Sequence, residues 1–273
     1  LASSEPEYAL GYSNAEHERL IRQGRRIAPY TERLFRSAGL AEGDRVLDLG
    51  SGVGDVSMLA ARIVGPAGEV VGVERDPDSI ARARRRVAEA EFRNVSFVQA
   101  DLNGIPSDKP FDAAVGRFIL MFLPEPVAVL RSVARAVRPG GVLAFQEPSW
   151  APFLALGQNI PLWSKLLAII HETFVRSGVH TEMGLDLYRI FPEAGLPKPA
   201  MNIEIPLGCD EEFTGLLSSL VQSIRPLAEN CQVSLEPLGD TATLSDRIQS
   251  EVQAANCLVS FVPLVGVWAR KPG

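Results

Sequence analysis

Between residues 45 and 147 the chain alternates short apolar runs with stretches of helical period. The runs at 46–49, 70–74, 95–99, 113–116 and 142–146 are dominated by Val, Leu, Ala and Phe, the pattern of strands buried on both faces of a parallel sheet. The stretches between them, 55–64, 78–90 and 125–137, place apolar residues three and four apart and predict helices, the last closed by Arg138-Pro-Gly-Gly141. Strand and helix in alternation predict a doubly wound α/β sheet, which binds its ligands at the carboxyl ends of the strands.

Outside that core the period stays mostly helical. Residues 15–38 read as a helix with Leu20, Ile21, Ile27 and Leu34 on one face and Asn14 as its cap. After the core, helices are predicted at 160–177, 182–193, 211–230 and 245–255, and strands at 199–207 and 258–270, with Pro263 marking a bulge or irregular start. The predicted division is an N-terminal lid (1–38), a core (39–150), cap helices (151–194), a closing strand pair (195–207 and 258–273) and a helical insertion (208–257), in a monomer or homodimer.

A chain of 273 residues that is 46% hydrophobic can bury a substantial core. Its net charge of −6 argues against a nucleic-acid backbone as main partner. The cluster Arg82, Arg84, Arg85 and Arg86 falls on a predicted helix and reads as a solvated face. Three cysteines without a C-x-x-C spacing or a histidine at metal-ligand distance predict free thiols, no metal and a reducing, cytoplasmic setting. No run reaches the ~20 apolar residues of a membrane span, and the first residues lack a secretory pattern.

The chemistry centres on Asp48-x-Gly50-x-Gly52-x-Gly54, where the first strand runs into a glycine turn. Glycines there allow positive φ and let backbone N–H groups approach a ligand; tight packing is the competing explanation. A dinucleotide fingerprint wants its third glycine where Asp55 stands, and a P-loop wants Gly-Lys-Ser/Thr. Ser51 lies inside the turn, which does not suit a nucleophile elbow. Asp48, two residues before the first glycine, disfavours a diphosphate and favours a cation.

These residues resemble the class I S-adenosylmethionine-dependent methyltransferases, whose first motif is an acid followed by G-x-G-x-G. The likeness extends over roughly residues 40–150. Glu74 stands where the family places the acid that holds the ribose hydroxyls, and Asp101 where it places the contact to the adenine amino group. Residues 111–121 resemble the fourth strand and the loop under the methionine moiety, and 138–147 the turn and fifth strand of the small-molecule branch. Residues 8–20 resemble the lid segment of ubiquinone/menaquinone-type and thiol methyltransferases. The resemblance implies a Rossmann-like seven-stranded sheet, mostly parallel with the last strand antiparallel, in which 201–207 pairs with 265–270. It also implies S-adenosyl-L-methionine as cofactor, held by Asp48, Gly50, Ser51, Gly52, Glu74, Arg75, Asp101, Leu102, Arg117, Phe118 and Met121. Tyr8, Tyr12 and Gln23 are the lid candidates, and Tyr12 and Gln23 are expected to bind the cofactor as well.

The implied activity is methyl transfer to a small, apolar or aromatic acceptor through O, N, S or C. A Gly116-Arg117-Phe118 sequence replaces the Asn/Asp-Pro-Pro-aromatic loop of enzymes that methylate nucleic-acid amino groups. A protein or peptide methyltransferase and a non-catalytic cofactor-binding scaffold are the alternatives. Glu147, just past the fifth strand, and His171, in the cap, are the candidate bases; loop capping and a structural histidine are their plain alternatives. Trp150, Phe153 and Trp163 are candidate walls for an aromatic substrate, as are Leu166, Phe174, Phe213, Leu217 and Leu220 at helical spacing.

Overall fold

The computed structural model describes residues 10–102, 105, 109–156 and 160–273. Seven strands form one sheet: β1 (Arg45–Leu49), β2 (Glu69–Glu74), β3 (Val95–Gln99), β4 (Phe111–Arg117), β5 (Val137–Pro148), β6 (Ala200–Glu204) and, after a short ribbon, β9 (Leu264–Arg270). Their order is β3-β2-β1-β4-β5-β9-β6, and only β9 runs antiparallel to its neighbours. Residues 200–204 pair with β9 from Ala200↔Trp268 to Glu204↔Leu264, whereas Leu207, expected in the same ladder, pairs with Ser260 instead. The order reverses direction between β1 and β4, the switch point at which doubly wound sheets bind ligands.

The strands are apolar on both faces because both are covered. In β1, Val46 enters one buried cluster and Leu47 and Leu49 another; in β5, Val142 and Ala144 part from Leu143 and Phe145 in the same way. On one face lie α1 (Asn14–Ala38) and α2 (Asp55–Val64), with α3 (Pro77–Glu89) toward the β3 edge; on the other lie α4 (Pro126–Ala136) and α7 (Met183–Glu193). Above the carboxyl edge, α5 (Trp150–Leu156), α6 (Pro161–Arg176), α8 (Glu211–Asn230) and α9 (Leu244–Ala254) pack together, and their buried side chains join the α4–α7 face in one cluster.

Several local expectations change. Ser13, not Asn14, caps α1: its hydroxyl accepts from the Glu16 N–H at 3.1 Å. Arg138-Pro-Gly-Gly141 does not simply close α4 but lies within β5, where the ladder to β4 skips from Phe111↔Val137 to Ala113↔Val142. Gly140 takes φ +74° there, and its N–H donates to the Lys271 carbonyl at 3.0 Å. Pro263 splits the last predicted strand, so that β8 (Val259–Ser260) pairs with β7 (Leu207–Gly208) in a separate ribbon. Helix α5 was not expected. In the arginine cluster Arg84 and Arg85 are exposed, as a solvated face requires, while Arg82 pairs with Glu18, Arg84 donates to the Phe97 carbonyl and the half-buried Arg86 donates to Asp55.

Candidate active site

The turn after β1 is built by three left-handed glycines, with φ of +59° at Gly50, +50° at Gly52 and +88° at Gly54. A Cβ on Gly50 would collide with Ile119, whereas one on Gly52 would project into open space. The Ser51 N–H donates to the Val73 carbonyl at 3.0 Å, which carries the β1–β2 pairing one step into the turn. Glu74, at the end of β2, locks the arrangement from the side. Its Oε2 accepts from the Gly52 N–H at 2.9 Å and its Oε1 from the N–H groups of Arg75 (2.8 Å) and Asp76 (3.1 Å).

These groups face a cavity of about 730 Å³ above the switch point, within the range of small-molecule sites. Gly50, Ser51, Gly52, Glu74, Arg75, Asp101, Leu102, Arg117, Phe118 and Met121 line it, as do Tyr12 and Gln23 from the N-terminal segment. Tyr12 accepts from Arg75 Nε at 2.8 Å, and burial raises its phenol above the ordinary range. Tyr8 lies outside the described residues. Arg117, at the end of β4, donates to Thr31 Oγ1 at 3.0 Å, which in turn donates to Gln146 at 2.6 Å, tying α1 to the ends of two strands. Desolvation lowers the guanidinium pKa against the pull of Asp55 and Asp48. Phe118, next in the chain, holds a strained φ of +53°.

Three predicted residues lie outside this lining. Asp48 is sealed beneath the turn at 1% exposure, with Ser57 donating to its Oδ2 at 2.5 Å and no partner for Oδ1 among the described residues. Burial pushes its carboxyl up to about 7 despite Ser57 and Arg117. Glu147 is also fully buried, and its carboxylate accepts from the N–H groups of Ile119 (3.0 Å), Leu120 (2.9 Å) and Met121 (3.4 Å). It thereby caps the single helical turn Leu120–Phe122, and burial pushes it up to about 7 as well. His171 is not part of the lining but packs its ring 5.8 Å from that of Trp150, which is, and burial lowers its pKa.

Toward the cap the cavity turns apolar, with Phe122, Trp150, Phe174, Leu217, Leu220 and Phe261 among its walls. Of the expected wall residues, Phe153, Trp163, Leu166 and Phe213 are instead buried in the cap core. Arg19 and Leu20 fall in the expected lid segment without having been singled out for the cavity, and sequence reading missed Ser79 on α3 and Phe261–Val262 before β9. A signal for the α1 residues was present: Glu16, Arg19 and Gln23 recur three and four apart beside the apolar Leu20 and Ile27. His17 also lines the cavity, its Nε2 3.1 Å from Ser79 Oγ.

Residues 40–195 match the family model described as a methyltransferase domain. The chain belongs to that family. Among its relatives, this methyltransferase-domain chain is 37% identical over 118 residues to the arsenite methyltransferase of Halobacterium salinarum, covering 42% of this chain and 30% of the relative. It is 34% identical over 145 residues to the ubiquinone/menaquinone biosynthesis C-methyltransferase of Coxiella burnetii, covering 50% and 58%. The chain thus spans less than two thirds of the length of either relative. A solved S-adenosylmethionine-dependent methyltransferase from Geobacter sulfurreducens, in complex with S-adenosyl-L-homocysteine, superimposes with a TM-score of 0.53 at 20% identity over 90% of both chains. That likeness is one of fold.

Proposed function

We propose that the protein transfers a methyl group from S-adenosylmethionine to a small, apolar or aromatic metabolite. One observation carries the reading: a single cavity joins a polar end, formed by the glycine turn and Glu74, to an apolar end under the cap helices. The polar end fits the cofactor. Gly52 leaves open space where a side chain would stand, and Glu74 spends lone pairs on three N–H groups of the turn, which fixes its carboxylate beside that space. In this reading Glu74 holds the ribose hydroxyls, Asp101 the adenine amino group, and the residues around Gly50 and Arg117 the methionine end. The cofactor supplies an electrophilic methyl group and a neutral thioether leaving group. The protein's part is to orient the acceptor and keep water away. The names of the two relatives, each the methyltransferase of a small molecule, support the class of acceptor. Three free cysteines accord with a reducing cytoplasmic setting, and among the described residues no helix is long and apolar enough to cross a membrane.

Calorimetric titration with S-adenosylhomocysteine tests the cofactor. Affinity should be micromolar or better, and Glu74→Ala should lose about 1.5–3 kcal/mol, the worth of a hydrogen bond to a charged group. Because Glu74 also braces the turn, Glu74→Gln and thermal melts accompany it. No binding by the wild type, or undiminished binding by both variants, defeats the assignment. Methyl transfer to a panel of phenols, thiols and amines then tests the reaction.

A further inference from the structure

On the roof of the cavity, α1 carries a buried ion pair that the cofactor reading does not use. Glu16 and Arg19 have side chains 0% and 4% exposed. Arg19 donates through Nε and Nη2 to the two carboxylate oxygens at 2.7 and 2.5 Å. Ser223, on cap helix α8, donates to Glu16 Oε2 at 2.5 Å, so the pair is anchored on the cap as well as on α1. Its remaining Nη1 donates to Gln23 Oε1 at 2.8 Å. Arginine has no acceptor atom, so the Gln23 atom facing it is the oxygen. The two amide N–H donors therefore point away from Arg19, and they have no hydrogen-bond partner among the described residues. Gln23 is half-buried and lines the cavity.

A buried ion pair is poor stabiliser, since well-packed apolar residues often do as well. Its geometric effect here is definite: it fixes which end of the Gln23 amide meets the cavity. Leu20, on the same helix, and Leu217 and Leu220, within two turns of Ser223, line the same cavity and are apolar. We propose that Glu16 and Arg19 are positioning residues that aim the Gln23 amide into the acceptor chamber, so that preferred acceptors combine an apolar body with a hydrogen-bond-accepting oxygen, as in a ketone, quinone or phenol. This rests on the reading of the cap end as the acceptor site. The cofactor carboxylate offers the same chemistry from another source, and the experiment separates the two.

The probes are 1-tetralone and tetralin, which differ by one carbonyl oxygen and carry no nucleophile. Both are titrated calorimetrically into the full chain, with and without saturating S-adenosylhomocysteine. The wild type should prefer tetralone about fivefold, the effect of one neutral hydrogen bond. Gln23→Leu and Gln23→Glu should bring the ratio to within about twofold of unity, the latter keeping a partner for Arg19 while removing the donor. S-adenosylhomocysteine affinity should move less than about threefold, below the effect expected of a lost charge-assisted bond. The double variant Glu16→Leu/Arg19→Met removes the pair without stranding a charge; it should keep its melting transition and lose most of the preference. An undiminished ratio in the Gln23 variants overturns the proposal, as does a wild type that binds both probes equally or neither. A large loss of S-adenosylhomocysteine affinity with the ratio intact assigns Gln23 to the cofactor instead. Failure of S-adenosylhomocysteine to bind the wild type defeats the methyl-transfer reading while the ratio, measured without it, still decides this one.

Discussion

Asp48 carries an acid group that burial holds near pKa 7, against an ordinary carboxyl value of 3.8. Between about pH 4 and pH 7 the folded chain retains a proton that the unfolded chain releases, so this residue lowers stability as pH rises through that window. Glu147 acts in the same direction. Asp48→Asn removes one of the two slopes, so its melting temperature relative to wild type should increase from pH 4.5 to pH 8; parallel melting curves would show that the carboxyl is not protonated in the fold. At this scale the sequence was informative where the constraint is local. Three glycines in alternate positions meant a turn with positive φ, and an acid at the end of the next strand meant a side chain beside that turn, and the structure has both. Orientation was not legible for Glu147, because what turns its carboxylate away from the cavity is a row of N–H groups almost thirty residues earlier in the chain. The Glu16–Arg19–Gln23 row was visible only as helix-face polarity, since nothing local says that this face is roofed by α8.

Among elements, α1 was read nearly to the residue because its apolar positions keep a 3.6-residue period over seven turns. Helix α5 and the β7–β8 ribbon were not. The ribbon is two residues long on each side, too short to show a period, and α5 begins at Trp150 directly after β5 in an apolar stretch that carries no polar face. The upper part of α1, with His17, Arg19, Leu20 and Gln23, roofs the cavity, while Leu34 and Phe35 are buried against the sheet and α2. Deleting residues 1–24 should therefore lower the melting temperature by only a few degrees yet slow methyl transfer roughly 100-fold, the order of loss that follows from misplaced reactants. Full-rate transfer by the truncated chain would show that α1 is scaffold alone.

For the whole molecule, strand–helix alternation predicted the doubly wound class and the family resemblance implied the antiparallel last strand, but the order β3-β2-β1-β4-β5-β9-β6 was legible in neither, because period says nothing about which strands are neighbours. The division of labour has a testable form. The groups that the proposal assigns to the cofactor, such as Glu74 and Arg117, sit at strand ends, whereas Leu217 and Leu220 reach the cavity from the segment between β7 and β8. Exchanging residues 208–257 with those of a relative that uses another acceptor should change acceptor preference and leave S-adenosylhomocysteine affinity within about threefold, since the hydrogen bonds at the glycine turn are untouched; lost cofactor binding with unchanged preference would reverse the assignment. The continuity of α1 bears on the traffic of ligands. It is one helix, with Pro29 inside it, whose lower half is tied by Thr31 to the strand ends and by Arg33 to Glu204. Where it crosses α2, Gly24 leaves no room for even a methyl group, whose position would be 2.7 Å from Asp55 Cγ. Packing that close opposes a rigid swing of the helix across α2. Opening proceeds by unwinding of the N-terminal half, which must first release His17 from Ser79, Glu18 from Arg82 and Glu16 from Ser223, so the residence time of a bound ligand becomes a property of helix unwinding. Amide hydrogen exchange at 14–23 and the ligand dissociation rate should then rise together on warming, while exchange at 27–38 stays slow.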